Sequence, residues 1–232
     1  MDQLALQTRV SHVRYNGDEL RVVRVERPPK RMVAQASYDY YDIHADRRGA
    51  VCLAAAWALA KRSPRSLVYL PIRANLPPVD VALTSPTLDI VFVHASAQFR
   101  ASEWKSVRAR SRAGAAHRIE LGTIRQELPS PDETDFSSTT HADNPHHLRY
   151  ATAAETLFVI GSAPAFEREG AFLRAFVERF DEPAAQPHHC VELWPTRWKP
   201  GQNRRIGPGG LHIVRETELW PAGPAQRPAR QT

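Results

Sequence analysis

Residues 88–94 read LDIVFVH, a nearly continuous apolar run in which Asp89 is the one acidic residue. A half-buried strand alternates apolar and polar side chains, whereas a strand covered on both faces is apolar at successive positions. The run therefore predicts a central strand in a sheet that is buried on both sides.

Strand-like and helix-like segments lie on either side of this run. Further strands are predicted at residues 66–72, 117–124, 156–160, 190–194 and 211–214. Helices are predicted at residues 48–62, 103–112 and 166–180. The first helix is rich in alanine, the best helix former, and the third has apolar residues at helical spacing. Helices between apolar strands favour an α/β fold, so we expect a single domain with a mixed, mainly central sheet and about three main helices.

The first part of the chain predicts a β-hairpin over residues 3–27. Two runs rich in Leu, Val and Arg flank the pair Asn16-Gly17. Asn-Gly between two strand-like runs is a strong hairpin signal, because both residues tolerate the positive φ angles of a tight turn. Pro28 and Pro29 follow and end the second strand.

Three segments lack a regular pattern. Residues 34–47, which contain three tyrosines, are expected to form a loop or an irregular strand. Residues 126–150 are polar and acidic and contain three prolines, which predicts a long loop. Residues 221–232 also contain three prolines and predict a disordered tail, so the domain is expected to span residues 1–220.

The composition is typical of a globular protein, since 42% of the 232 residues are hydrophobic and 24% are charged. No apolar run approaches the roughly 18 residues of a membrane span, and the start of the chain lacks the basic and apolar regions of a signal peptide. Two cysteines cannot build a disulfide scaffold, and Cys52 is expected to be a buried thiol in the alanine-rich helix. We therefore expect a cytoplasmic protein with no membrane partner, whose oligomeric state the sequence leaves open.

The charge is positive and unevenly distributed. The formal net charge is +6, and four of the 31 basic residues are lysine. Residues 100–118 and 197–215 each carry a net charge of +5, whereas residues 126–147 carry −5. The arginine excess reflects either a GC-rich coding bias or a role for guanidinium groups in binding phosphate or carboxylate. Likewise, the acidic segment either neutralises a basic one or leaves both free to form an anion-binding face.

The two basic segments supply the candidate anion-binding residues. In residues 194–210, aromatic side chains that stack on bases are interleaved with cations that hold phosphates. The candidates are Arg108 and Arg112 in the first segment and Arg197, Trp198, Lys199, Arg204 and Arg205 in the second. The leading hypothesis is a non-catalytic protein, without a cofactor, that binds nucleic acid or an acidic protein surface. A structural subunit of a larger assembly is a further alternative.

A metal-dependent enzyme is the main alternative. Asp89, followed by Glu103 and Lys105 in a Glu-x-Lys arrangement, resembles the PD-(D/E)xK superfamily of nucleases. The resemblance implies that the carboxylates bind Mg²⁺ and that the lysine assists the attacking water in phosphodiester hydrolysis. That chemistry needs Glu103 and Lys105 to face the metal from a strand. Ser102 instead predicts the N-cap of a helix, where Glu103 would favour the helix dipole.

Two groups of residues have metal-ligand chemistry without a known zinc spacing. The first is His141, Asp143, His146 and His147, and the second is His188, His189 and Cys190. Neither contains Cys-x-x-Cys or His-Glu-x-x-His, so no metal site is predicted. Residues 161–164 lie between a strand and a helix, where anions often bind, but they match no phosphate-binding motif and predict an ordinary turn.

Overall fold

The strand predicted at residues 88–94 joins two parts of one mixed β-sheet. The computed structural model describes residues 3–79, 81, 85–137, 144–182, 189–193, 209–216 and 220. In this part of the chain, eleven strands form the sheet and four α-helices pack with it, which confirms the predicted single α/β domain.

Strands and helices alternate along much of the chain. The strands are β1 (Gln3–Tyr15), β2 (Asp18–Val25), β3 (Met32–Ala36), β4 (Tyr40–Ala45), β5 (Ser66–Leu70), β6 (Thr87–His94), β7 (Ala115–Thr123), β8 (Arg149–Ala153), β9 (Thr156–Gly161), β10 (Cys190–Leu193) and β11 (Gly210–Arg215). The helices are α1 (Arg47–Arg62), α2 (Trp104–Arg110), α3 (Ile124–Glu127) and α4 (Ala163–Glu178). None of the described helices combines the length and the hydropathy that a membrane crossing requires.

The sheet has the strand order β10-β11-β4-β3-β6-β5-β2-β1-β7. β9 also pairs with β6, and β8 pairs with the other edge of β9. β6 therefore has three neighbours: β5 is antiparallel, β9 is parallel, and β3 joins at Thr87 and Leu88. This arrangement confirms the central position predicted for the strand.

Side chains on the two faces of β6 enter two separate hydrophobic clusters. Ile90 and Phe92 belong to the larger cluster, with α1 and α4, whereas Val91 and Val93 belong to the smaller one, with Trp104 of α2. All five side chains are buried. Because successive residues face opposite sides of a sheet, burial on both sides explains the apolar run.

The N-terminal hairpin forms at the predicted turn. β1 and β2 pair antiparallel up to Tyr15 and Asp18. The φ angles between them are 51° at Asn16 and 87° at Gly17. Two successive residues with positive φ define the type I′ turn, whose twist matches that of paired strands.

Trp57 connects α1 to α4 and to the central strand. Asp46 is the N-cap of α1, because its side chain accepts a hydrogen bond of 2.8 Å from the Gly49 N–H. Trp57 is fully buried and donates its Nε1–H to the Phe166 carbonyl oxygen at 2.7 Å. Its ring meets those of Phe92 and Phe166 edge-on, a favourable arrangement for aromatic pairs.

Two regular strands form where the sequence predicted a loop or an irregular strand. β3 and β4 pair with each other antiparallel. In β4, Tyr41 and Ile43 belong to the larger cluster, and Tyr40, Asp42 and His44 alternate with them on the other face. Because Tyr40 and Tyr41 place adjacent aromatic residues on both faces, the alternation that identifies a strand is hard to recognise in the sequence.

Two further segments differ from the prediction. α2 begins at Trp104 after a 3₁₀ turn, so its N-cap is Glu103 and not the predicted Ser102, and Glu103 makes no side-chain cap hydrogen bond. The loop predicted at residues 126–150 is not continuous, because it includes the end of α3, a 3₁₀ turn with a capping box, and the start of β8. Residues 138–143 and the predicted tail at 221–232 lie outside the described residues.

Replacing Trp57 by alanine is expected to lower the free energy of unfolding by about 3–5 kcal/mol, the usual cost of deleting a large buried aromatic side chain. Urea denaturation followed by circular dichroism measures this change. Val79→Ala is the control, because Val79 is 73% exposed and its truncation should change the free energy by less than about 0.5 kcal/mol. Equal effects of the two substitutions would contradict the central role of Trp57.

Candidate anion-binding site

Three polar side chains meet at one end of the sheet face that α2 covers. Each lies two residues along its strand from a side chain of the smaller cluster. Arg24 follows Val22 in β2, Tyr69 follows Leu67 in β5, and Asp89 precedes Val91 in β6. β2 is parallel to β5 with Arg24 opposite Tyr69, and β6 is antiparallel to β5 with Val91 opposite Tyr69. Because alternate residues share a face, the three polar side chains lie together where the apolar rows end.

These strands border a cavity of about 190 Å³, which we call the arginine pocket. Its lining residues are Arg24, Tyr69, Arg73, Arg108, Ser111 and Arg112. The last three come from α2 and the turn that ends it. Ser111 anchors this turn to β1, because its carbonyl oxygen accepts a hydrogen bond of 2.7 Å from the hydroxyl of Ser11.

Asp89 is a buried acid beside the pocket, and its side chain is 2% exposed. Its carboxylate accepts a hydrogen bond of 2.7 Å from the Tyr69 hydroxyl and one of 3.0 Å from the Arg73 backbone N–H. The guanidinium groups of Arg73 and Arg108 each approach Asp89 Oδ2 to 3.6 Å. A buried carboxylate is costly unless donors and cations surround it, so Asp89 fixes these two arginines in place.

Tyr69 contributes a hydroxyl that stays protonated over the physiological range. Burial, reinforced by the negative charge of Asp89, raises the pKa of Tyr69 to about 12. The hydroxyl therefore remains a hydrogen-bond donor to Asp89 at neutral pH.

The arginine pocket has more cations than anions. Two carboxylates pair with two of its four arginines: Asp89 with Arg73 and Arg108, and the exposed Glu155 with Arg73. Among the described residues, Arg24 and Arg112 form no ion pair, and the buried Nε of Arg24 has no hydrogen-bond partner. A buried donor without a partner is rare in proteins, and beside a positively charged cavity it indicates a place for an anion.

A strained turn lies against the pocket. Ala154 and Glu155 connect β8 to β9 with φ angles of 47° and 57°, although neither is Gly or Asn. The left-handed conformation costs such residues roughly 1–2 kcal/mol each. The turn is held by Arg108, whose Nη1 donates to the Ala154 carbonyl at 3.4 Å, and by the Asp89 N–H, which donates to the Glu155 carbonyl at 3.0 Å. The strain is thus sustained by two residues of the site.

The structure brings together some of the residues singled out in the sequence. Asp89, Arg108 and Arg112 meet at the arginine pocket. Glu103 and Lys105 do not reach it, because both are exposed at the start of α2 and neither contacts Asp89. The remaining candidates lie outside the described residues: Arg197, Trp198, Lys199, Arg204 and Arg205.

Sequence reasoning missed Arg24, Tyr69 and Arg73. A signal existed for Arg24, because it continues the spacing of Leu20 and Val22 and so belongs to a buried face of the hairpin. The other two carried no comparable signal. Their position depends on the pairing of β5 with β2 and β6, which residue spacing does not reveal.

Among the described residues, neither histidine group brings three potential metal ligands together. His146 Nδ1 lies 2.9 Å from the hydroxyl of the serine that caps α4. His189 packs edge-on against a phenylalanine ring of α4, with 5.4 Å between ring centroids. Cys190 lies beside Glu192 and His212, a grouping that the sequence did not suggest. His147 is half-buried, whereas His141, Asp143 and His188 lie outside the described residues.

Comparisons with models of known protein families, with characterised proteins and with solved structures found no match to this chain. The inference of function therefore depends on the side chains of the site and on their charges. Fold class alone would not supply it, because one fold hosts many functions.

Asp89→Ala is expected to lower the free energy of unfolding by at least about 2 kcal/mol, because it leaves the Tyr69 hydroxyl and the Arg73 N–H without their acceptor. Urea denaturation at pH 7 measures the loss. Glu155→Ala removes the other carboxylate that pairs with Arg73 and is the matched control. Its side chain is 64% exposed, so the expected change is below about 1 kcal/mol. A small loss at Asp89, similar to that at Glu155, would show that Asp89 does not organise the site.

Proposed function

We propose that the protein binds, without catalysis, a ligand that bears a phosphate group, and that the arginine pocket takes this group. The observation that carries the proposal is the pair Arg24 and Arg112, which line the cavity and form no ion pair with the described residues. The guanidinium groups of Arg73 and Arg108 border the same cavity and are braced by Asp89. Four cations around one small cavity favour an anion with more than one charge.

Phosphate suits this pocket better than carboxylate. A guanidinium group presents a planar fork of N–H donors that matches two oxygens of either anion. A carboxylate has two oxygens and one charge, whereas a phosphate monoester has three free oxygens and about 1.5–2 charges at neutral pH. The phosphate therefore engages more of the four arginines at once.

The size of the cavity indicates how much of the ligand it encloses. Its volume of about 190 Å³ is smaller than the roughly 300–1,000 Å³ of pockets that enclose a whole small molecule. It suits the phosphate end of a larger ligand, with the remainder outside. Lys105 and Arg110 are exposed on α2 and extend the positive charge beyond the pocket. We therefore favour a nucleic acid strand with a terminal phosphate.

A cytoplasmic location accompanies this proposal. Cys52 and Cys190 are both free thiols, which suits a reducing compartment. Burial raises the pKa of Cys52 to about 12, so this thiol stays protonated and unreactive at neutral pH.

Magnesium-dependent cleavage through Asp89, Glu103 and Lys105 is the less favoured alternative. Mg²⁺ needs free carboxylate oxygens, and those of Asp89 accept hydrogen bonds from Tyr69 and from the Arg73 backbone. Two guanidinium groups at 3.6 Å also repel a divalent cation there. The same surroundings favour an anion nearby.

A labelled single-stranded oligonucleotide with a 5′-phosphate is expected to bind more tightly than the same oligonucleotide with a 5′-hydroxyl. The reason is that the 5′-phosphate offers a monoester to the pocket. Fluorescence anisotropy across a salt series measures both affinities, and inorganic phosphate is expected to compete. Affinity should fall with salt, with a slope of about −0.7 in log K against log salt for each neutralised phosphate.

Other outcomes of this experiment would overturn the proposal. Equal affinities for the two oligonucleotides, without competition by inorganic phosphate, would exclude a phosphate-binding pocket. Stronger competition by polyglutamate than by phosphate would indicate an acidic protein partner. Cleavage of the oligonucleotide on addition of Mg²⁺ would instead support the nuclease alternative.

Arg24→Gln is expected to weaken binding of the 5′-phosphorylated oligonucleotide at least tenfold, since hydrogen bonds to charged groups contribute roughly 1.5–3 kcal/mol. Arg21→Gln is the matched control, because it removes the same charge from the opposite face of the same strand. It should change the affinity less than about twofold, as expected for an exposed charge. Similar losses in the two variants would mean that general positive charge, and not the pocket, attracts the ligand.

A further inference from the structure

A second group of polar side chains lies on the outer strands of the sheet, away from the arginine pocket. Potential ligand atoms of Cys190, Glu192 and His212 all lie within 4.8 Å of one another. Cys190 and Glu192 are two residues apart on β10 and so share a face. His212 of β11 is directly opposite Glu192 in the antiparallel pair. The sheet register therefore brings the three side chains together.

A carboxylate on the next strand orients the histidine. Asp42 of β4 is opposite His212, and its Oδ1 lies 2.9 Å from His212 Nδ1. An ionised carboxylate at this distance favours the proton on Nδ1, so Nε2 is the nitrogen that carries the lone pair. Metal-ligating histidines almost always have such a partner on the second ring nitrogen.

Both Asp42 and His212 are largely buried, so their contact is shielded from solvent. Tyr40 flanks the group, since its ring lies 5.5 Å from that of His212 and its hydroxyl hydrogen-bonds to Glu192.

The mixture of donors indicates which metal the group would take. One thiolate, one imidazole and one carboxylate are all ligands of zinc, whereas Mg²⁺ and Ca²⁺ prefer oxygen alone. Zinc bonds of roughly 2.0–2.3 Å place two ligands of a tetrahedral ion about 3.3–3.8 Å apart. Donors that lie within 4.8 Å of one another therefore need to approach by about 1 Å, which side-chain rotations can supply. Three protein ligands leave the fourth tetrahedral position to water.

We propose that Cys190, Glu192 and His212 bind a zinc ion and that Asp42 holds His212 in its ligating orientation. The proposal is independent of the arginine pocket and of its phosphate ligand. It differs from the histidine groups considered in the sequence, because the strands of the sheet, and not neighbouring loop residues, assemble the site.

Cobalt(II) is the spectroscopic probe for this site. The full-length protein, stripped of metal with a chelator, is expected to bind one equivalent of Co²⁺. The spectrum should show the near-ultraviolet thiolate-to-cobalt band and the visible bands of tetrahedral Co²⁺, and equimolar Zn²⁺ should abolish both. Absence of these bands would overturn the proposal.

Matched variants assign the ligands. Cys190→Ser should remove the thiolate band, whereas Cys52→Ala, which deletes the other thiol, should retain it. His212→Gln should weaken Co²⁺ binding more than tenfold, and Asp42→Asn should weaken it about 10–100-fold, the usual effect of losing the partner of a ligating histidine. Circular dichroism verifies that each variant is folded. A thiolate band that persists in Cys190→Ser, or Co²⁺ affinity unchanged in His212→Gln, would contradict the assignment.

Discussion

Burial of β6 on both faces fixes the register on which the arginine pocket depends. Ile90 and Phe92 fill the larger cluster while Val91 and Val93 fill the smaller one. A slip of one residue would exchange these faces and move Asp89 from the end of the α2 face into the cluster around α1. The free energy of the apolar contacts thus determines where the carboxylate lies. The position of Asp89 then determines where Arg73 and Arg108 lie, because a buried carboxylate needs them as partners.

The same balance of charges is the reason that we propose an anion as the ligand of this site. Asp89 compensates for only part of the positive charge that it organises, and Arg24 and Arg112 have no acidic partner among the described residues. Bringing four guanidinium groups together is unfavourable in the free protein, and an anion relieves the repulsion. The left-handed turn at Ala154 and Glu155 adds a second unfavourable element at the same place. Unfavourable features of this kind are common at functional sites, since favourable packing elsewhere in the protein compensates for them.

Much of the fold follows from local patterns, whereas the site follows from pairing between distant strands. The central strand, the Asn16-Gly17 hairpin and the alanine-rich helix are each encoded within a short stretch of sequence. Of the pocket, Arg108 was identified through its basic segment, but Arg73 joins the site only because β5 pairs with β6. In β4, Tyr41 and Ile43 alternate with polar residues, but the adjacent aromatic residues Tyr40 and Tyr41 obscure this pattern. The segment was therefore predicted as a loop or an irregular strand.

The pocket and the Cys190 group share one face of the sheet, opposite α1 and α4, yet they should act separately. Strand pairing connects the two sites. His212 is opposite Asp42, and Asp42 is opposite Gln35. Gln35 is opposite Thr87 of β6, which lies two residues before Asp89. Three strand spacings of about 4.8 Å place His212 roughly 14 Å from that strand. This exceeds the screening length of about 8 Å at physiological salt, so a cation in the Cys190 group adds little to the attraction felt by an exposed anion at the pocket. Free-energy changes at two sites this far apart are usually additive. We therefore expect that a ligand at one proposed site would leave the affinity of the other nearly unchanged, so that each proposal can be tested with its own ligand.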